Sequence, residues 1–181
     1  RIIGHFVTNR TGKIFGHGDL LDVFGHGVLT DEDQGGVRLL APELPETRFL
    51  VVGGTLFPDP GRDYVAELKA RAADRGVADR VTFTGHRDDP LAALGAMDVV
   101  VNCSLDEPFG RVLMEAMACG LPVVAFHSGA VPELVRDDTT GFLAPRSCVE
   151  ALADAVRRLL GHPEQAQAMG QAGRRRVAER F

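Results

Sequence analysis

Two glutamates with seven residues between them, Glu107 and Glu115, flank a turn that leads into a helical pattern. The turn contains Pro108, which has no backbone N–H, and Gly110, which allows the backbone or a ligand to approach closely. The first N–H groups of a helix have no partner inside it, and together with the helix dipole they attract anions such as phosphate. The pattern therefore predicts a phosphate site with a carboxylate on either side.

Glu115 has apolar neighbours on both sides in the sequence, which predicts a helix that is buried nearly all round. A buried carboxylate requires a partner. In one interpretation the partner is Arg111, through an i, i+4 ion pair. In the other, Glu115 binds the two vicinal hydroxyls of a ribose, the role of a carboxylate near a helix-bound diphosphate in dinucleotide-binding folds.

Glu107 lies on the loop and does not share a helical face with Glu115. It is either an exposed loop acid or a carboxylate at the sugar end of a ligand whose phosphates lie at the helix start. A glycosidase pair is disfavoured, because its two carboxylates flank a single bond. Here the two acids would lie at opposite ends of a nucleotide.

Strands and helices alternate in the part of the chain that must position this turn. We predict strands over residues 2–6, 48–52, 80–84, 98–102, 122–126 and 141–143. We predict helices over residues 63–75, 90–97, 110–119, 131–135, 148–160 and 163–180. This alternation favours βαβ units and therefore an α/β fold with a doubly wound parallel sheet. Such sheets bind ligands at the carboxyl ends of their strands, where the turn at 103–110 lies.

The composition of the 181-residue chain is typical of one globular domain, with 45% hydrophobic and 25% charged residues. The net charge of −5 disfavours general binding to nucleic acid or anionic membranes, so that any anion site must be local. Three cysteines without a CxxC spacing disfavour a disulfide framework or a zinc ribbon. They favour a cytoplasmic location.

Residues 1–36 are irregular and contain 8 of the 21 glycines. A weak helix is predicted over 19–24, although nearby glycines disfavour it. Four side chains in this region could be grouped as metal ligands, namely His17, Asp19, Asp22 and His26. Their spacing matches no strong ligand motif, and we expect no metal here. Near the other end, the run 174–176 of three arginines is interpreted as a solvated face.

The stretch from Glu107 to Ala125, EPFGRVLMEAMACGLPVVA, closely resembles the signature of retaining glycosyltransferases of the GT4 type, which have the GT-B fold. Other matching motifs follow the family order: VVGG at 51–54, VTFTG at 81–85, GAVPE at 129–133 and TGFL at 140–143. The resemblance covers about residues 37–181. It implies that residues 1–181 form the C-terminal, Rossmann-like half of a two-domain hexosyltransferase, which binds a UDP- or GDP-sugar without a metal or another cofactor.

The resemblance also implies roles for residues of the turn. Glu115 would hold the ribose. Glu107 and the amides of Phe109 and Gly110 would hold the transferred sugar. The amides at the start of the helix would face the diphosphate: those of Arg111, Val112 and Leu113.

Further donor contacts are implied at other loops. The backbone at His86 and Arg87 would face the base. Gly54, in the VVGG motif, would be a further donor-binding residue. In the family, an arginine and a lysine on the first loop neutralise the diphosphate leaving group, whose charge grows in the transition state. Lys13 falls on the lysine position. Thr8 stands at the arginine position, so that Arg10 is the candidate to compensate.

The acceptor-binding N-terminal domain of the family is not in this sequence, and we expect donor binding here but transfer only with that half. Any peripheral membrane contact would also be made through that half. The alternative is a non-catalytic domain that binds nucleotide sugars or a protein partner. An NAD-dependent oxidoreductase is disfavoured, because no Gly-x-Gly-x-x-Gly opens a helix after the first strand.

Overall fold

The computed structural model describes residues 2–6, 40–53 and 63–181, with residues 2–6 described through their backbone. Six strands lie within these residues: β1 Ile2–Phe6, β2 Arg48–Val52, β3 Val81–Gly85, β4 Val99–Asn102, β5 Val123–Phe126 and β6 Phe142–Ala144. They form one sheet in the spatial order β3-β2-β1-β4-β5-β6, and every neighbouring pair is parallel. The predicted parallel α/β sheet is confirmed.

The helices of the described chain connect these strands. They are α1 Tyr64–Asp74, α2 Pro90–Gly95, α3 Arg111–Ala118, α4 Val131–Leu134, α5 Val149–Gly161 and α6 Pro163–Arg180, with a short 3₁₀ turn at Ala78–Arg80. The predicted boundaries agree to within one or two residues. The helix predicted over 19–24 lies outside the described residues. None of the helices described is long and apolar enough to cross a membrane.

The valine-rich strands bury both of their faces. In β4, Val99 and Val101 join the core that α1 and α5 cover, while Val100 points to the opposite core, which α2, α3 and α4 cover. Side chains of β5 alternate in the same way, and all four of its residues are buried. Helices therefore lie on both faces of the sheet, as the continuous apolar runs predict.

The order of the strands determines where a ligand can bind. From β1 the chain proceeds outward to β2 and β3 on one side, and later to β4, β5 and β6 on the other. Parallel α/β sheets with this order bind ligands where the direction reverses, outside the carboxyl ends of the two central strands. The loop 103–110 follows β4 and therefore begins at this reversal point.

Helix α6 packs closely against α3 and the turn that follows it. A Cβ atom at Gly170 would lie 2.0 Å from the carbonyl oxygen of Gly120, and one at Gly173 would lie 3.3 Å from Met117 Cγ. The absence of a side chain at Gly170 is thus what allows the two backbones to meet.

We expect Gly170→Ala to destabilise the domain by about 1–3 kcal/mol, because the new methyl group overlaps a backbone carbonyl that cannot easily move. Gly161→Ala is the matched control, since a Cβ atom at this helical glycine would meet no atom within 4 Å. Denaturant unfolding of both variants measures the difference. Equal stabilities would contradict the close approach of α6 to Gly120.

The arginine run of α6 is only partly a solvated face. Arg174 and Arg175 are exposed, as predicted, but Arg176 is half-buried. Its guanidinium donates to the carbonyl oxygens of Glu133 and Leu134, both at 2.6 Å, and burial lowers the pKa of Arg176. The prediction is therefore wrong for Arg176, which links α6 to the last turn of α4.

Candidate functional site

The carboxylate of Glu107 lies against the start of α3. Its Oε1 atom accepts hydrogen bonds from the backbone N–H groups of Gly110 at 2.8 Å and Phe109 at 3.3 Å. A negative group is stabilised there by the helix dipole and by the otherwise unpaired amides. The two amides that the family resemblance assigns to the sugar are therefore engaged by Glu107 itself in this structure.

Asn102, at the end of β4, holds the other side of this carboxylate. Its Nδ2 group donates to Glu107 Oε2 at 3.1 Å, and its Oδ1 atom accepts from the backbone N–H of Ser104 at 2.9 Å. Asn102 is only 4% exposed, and both ends of its amide are paired. Asn102 is not among the predicted site residues, although an amide at the end of a buried valine strand requires partners, which is a usable signal.

The loop after β5 holds the backbone of the Glu107 loop. The Ser128 hydroxyl donates to the carbonyl oxygen of Ser104 at 2.7 Å, and the Ala130 N–H donates to that of Glu107 at 2.8 Å. Gly129 has a φ of +49°, and a Cβ atom there would lie 2.2 Å from the Glu107 carbonyl oxygen. The loop after β5 thus holds the Glu107 loop through its backbone, while the hydrogen bonds to the carboxylate come from the Glu107 loop itself and from the end of β4.

The start of α3 provides free amides. Gly110 precedes the helix with a φ of +63°, which a glycine adopts without strain. Among the described residues, no hydrogen-bond acceptor meets the N–H groups of Arg111, Val112 and Leu113. These three amides can bind an anion together with the helix dipole. The Phe109 side chain lies beside them and is 60% exposed.

Glu115 lies one turn further along α3 and is half-buried, not buried as predicted, since α3 also has an exposed side at Arg111 and Ala118. No ion pair joins it to Arg111, and no hydrogen bond to its carboxylate comes from any residue that the structure describes. The ion-pair interpretation is therefore contradicted. The carboxylate remains available to a ligand.

His86 and Arg87 lie in the loop after the edge strand β3, which is three positions away in the sheet from β4, the strand that precedes Glu107. Their side chains are exposed and lie near the acids that follow them, with Arg87 Nη2 2.6 Å from Asp89 Oδ2. The hydrogen bond from Arg87 to Asp89 lowers the pKa of Asp89 and raises the pKa of Arg87. Because β3 and β4 are three strand spacings apart, about 14 Å, only an extended ligand can touch both this loop and α3.

Several predicted site residues lie outside the described residues, namely Arg10, Lys13 and Gly54, and so do the four candidate metal ligands between positions 17 and 26. In the parts of the chain that are described, no three His, Cys, Asp or Glu side chains are grouped to hold a metal ion. Cys103, next to Asn102, is fully buried, and burial raises the pKa of its thiol to about 12. It serves as a packing residue, whereas Cys119 is exposed.

The fold and the site define a Rossmann-like domain in which a helix start with unpaired backbone amides lies at the reversal point of the sheet. Residues 37–176 match the family model described as Glycosyl transferases group 1. This match covers more than half of the chain, and the chain therefore belongs to the group 1 glycosyltransferases.

Curated relatives are named as glycosyltransferases. The chain is 42% identical over 148 residues to the GDP-mannose-dependent alpha-(1-6)-phosphatidylinositol monomannoside mannosyltransferase of Mycolicibacterium smegmatis, which covers 77% of this chain and 39% of that enzyme. It is 43% identical over 122 residues to the D-inositol 3-phosphate glycosyltransferase of Mycobacteroides abscessus, covering 66% of this chain and 27% of that enzyme. The chain thus spans less than half of the length of either relative.

Solved structures share the fold. The Anabaena protein Alr3699/HepE in complex with UDP-glucose superposes with a TM-score of 0.79 at 29% identity, covering 99% of this chain and 44% of that one. The C-terminal domain of the group 1 glycosyltransferase LpcC from Francisella tularensis superposes with a TM-score of 0.76 at 23% identity, covering 99% of this chain and 85% of that domain. The predicted α/β Rossmann-like half of a GT-B glycosyltransferase is confirmed.

Proposed function

We propose that this chain is the donor-binding half of a retaining hexosyltransferase and that it binds a nucleotide-diphospho sugar at the start of α3. The observation that carries the proposal is a set of three free amides, those of Arg111, Val112 and Leu113, between two carboxylates at the reversal point of the sheet. A diphosphate is the group that such amides and a helix dipole bind.

The ribose lies beside the diphosphate in any such ligand, and Glu115 is placed to receive it. Residues four apart on a helix lie on one face, and the rise from Arg111 to Glu115 is about 6 Å. The Glu115 carboxylate accepts no hydrogen bond from the described residues, so its oxygens can accept from both vicinal hydroxyls. The base then extends toward the loop at His86 and Arg87.

The transferred sugar lies at the other end of the diphosphate, near Glu107. Each oxygen of this carboxylate has two acceptor sites, and the donors from Asn102, Phe109 and Gly110 leave one of the four for a sugar hydroxyl. Charge on the leaving diphosphate is stabilised by the helix amides, and Arg10 and Lys13 remain the proposed cationic partners. No metal or other cofactor takes part in this proposal.

The first donor to test is GDP-mannose, because the mannosyltransferase relative is 42% identical and is named as GDP-mannose-dependent. UDP-glucose is the second, because HepE is solved in complex with it at 29% identity. Calorimetric titration of the chain with both ligands, and with free GDP and UDP, tests the proposal. Absence of binding to all four would contradict it.

Turnover separates an enzyme from a purely binding domain. We propose that transfer requires the acceptor-binding half, which would bind the acceptor and make any contact with a membrane. Release of GDP from GDP-mannose is measured in the presence of phosphatidylinositol monomannoside, the acceptor in the name of the mannosyltransferase relative, with the chain alone and with a separately produced N-terminal half of that relative. Release only in the mixture supports the transferase, and binding with no release in either case favours the non-catalytic alternative.

We expect Glu107→Ala to weaken binding of the intact nucleotide sugar by about 1–3 kcal/mol and to leave binding of the free nucleotide undiminished, because only the sugar end contacts this carboxylate. Asp106→Ala is the control, since it removes an exposed acid from the adjacent position. Calorimetry measures both ligands, and thermal melting verifies that each variant is folded. Equal losses for sugar nucleotide and nucleotide would contradict the sugar-end position of Glu107.

A further inference from the structure

Asn102 is a buried site residue whose side-chain amide has a hydrogen-bond partner at both ends. It is the last residue of β4, and its side chain spans the loop that follows, with a donor to Glu107 Oε2 and an acceptor for Ser104 N–H. A buried polar group of this kind is costly unless both ends are satisfied, and here they are.

The hydrogen bond to the second oxygen of the Glu107 carboxylate, Oε2, comes from this asparagine. The backbone amides of Phe109 and Gly110 hold Oε1 only, and a carboxylate held at one oxygen can still pivot about that oxygen through coupled changes in its side-chain torsions. The donor from Asn102 attaches Oε2 as well. It therefore fixes the plane of the carboxylate and the direction of the acceptor site that remains.

We propose that Asn102 is a positioning residue that orients the Glu107 carboxylate toward the transferred sugar, and so sets the preference of the site for an intact nucleotide sugar over the free nucleotide. This inference rests on the proposed function of Glu107. A carboxylate held in place before the ligand arrives binds without losing further conformational freedom, which strengthens binding.

A merely structural role of Asn102 would act through Ser104 instead, and the two roles can be separated. Asn102→Asp retains an acceptor for the Ser104 N–H but loses the donor to Glu107. Asn102→Ala loses both. Ser128→Ala is the matched control, because it removes the other hydrogen bond that anchors Ser104 without touching the carboxylate.

The first measurement needs no ligand. The backbone amide resonances of Phe109 and Gly110 report on the carboxylate that they contact, and they should move in Asn102→Asp and Asn102→Ala but stay in place in Ser128→Ala. Thermal melting verifies folding, and Asn102→Asp conserves the side-chain volume. Unmoved resonances in both Asn102 variants would overturn the proposal whatever the ligand data show.

The second measurement is the ratio of the affinities for GDP-mannose and GDP, or for UDP-glucose and UDP. Both Asn102 variants should lower this ratio about tenfold, whereas Asn102→Ala should lower it no further in a chain that already carries Glu107→Ala. If Asn102→Ala lowered the affinity ratio as much in the Glu107→Ala chain as in the unaltered chain, the proposal would be overturned, because the effect would not pass through Glu107. If the resonances move but Glu107→Ala leaves the ratio unchanged, Asn102 still orients the carboxylate and the failure belongs to the proposed function.

Discussion

Replacing Glu115 with alanine should weaken nucleotide binding by about 1–3 kcal/mol, which corresponds to a loss of about 5- to 150-fold in affinity. The variant strands two ribose hydroxyls that the carboxylate would otherwise accept from. The loss should be the same for the free nucleotide and for the nucleotide sugar, because both carry the ribose. Calorimetric titration with GDP, UDP and their sugar derivatives measures it.

The stability of the same variant tests the ion-pair interpretation a second time. Because Glu115 has no partner among the residues that the structure describes, its removal should leave the unfolding free energy nearly unchanged. Glu46→Ala, which removes an exposed acid from the turn before β2, is the control for the loss of one negative charge. An unaltered affinity for the nucleotide in a folded Glu115→Ala variant would contradict the assignment of the ribose to Glu115.

Replacing Gly129 with alanine should destabilise the domain by about 2–5 kcal/mol. The left-handed backbone at this residue, with φ of +49°, disfavours a side chain by about 1–2 kcal/mol. The added Cβ atom would also lie 2.2 Å from the carbonyl oxygen of Glu107, and overpacking of this kind costs about 1–3 kcal/mol. The Glu107 loop must move to relieve the overlap, so affinity for the nucleotide sugar should fall as well.

A substitution at Gly76 separates the cost of the left-handed backbone from the cost of the overlap with Glu107. It also has a left-handed backbone, with φ of +67°, but a Cβ atom there would meet no atom within 4 Å. Gly76→Ala should therefore lose only about 1–2 kcal/mol and should not alter donor binding. Denaturant unfolding and calorimetry on both variants measure the difference. Equal stabilities of the two variants would show that the loop after β5 does not press on Glu107.

The fold was predictable in detail because its signals are local. Runs such as Val99–Val101 indicate strands buried on both faces, and Gly120 indicates the end of the preceding helix through its ability to adopt a positive φ, here +76°. Strand and helix lengths followed to within one or two residues. Alternation of the two then leaves a parallel sheet with right-handed crossovers as the consistent topology.

The exposure of single side chains was less predictable, because it depends on the neighbours that a helix meets. Glu115 was expected to be buried from its apolar sequence neighbours, yet it is half-buried. Arg176 was expected to be solvated, yet it donates to two carbonyl oxygens of α4. The contacts of Arg176 involve an element distant in the sequence, and the side of α3 that stays exposed at Glu115 depends on where α6 and the sheet pack against this helix. A local pattern contains neither.

The sequence by itself determined the order of the elements, the parallel α/β class and the placement of Glu107 and Glu115 on either side of a helix start. Local periodicity and turn residues suffice for these. Only the tertiary structure decided which amides stay free and how Glu107 is held. Its partners come from the end of β4 at Asn102 and from the loop after β5 at Ala130, and parallel pairing of these strands brings their carboxyl ends together. The identity of the residues that meet at such an edge depends on strand order and register, which are properties of the whole sheet.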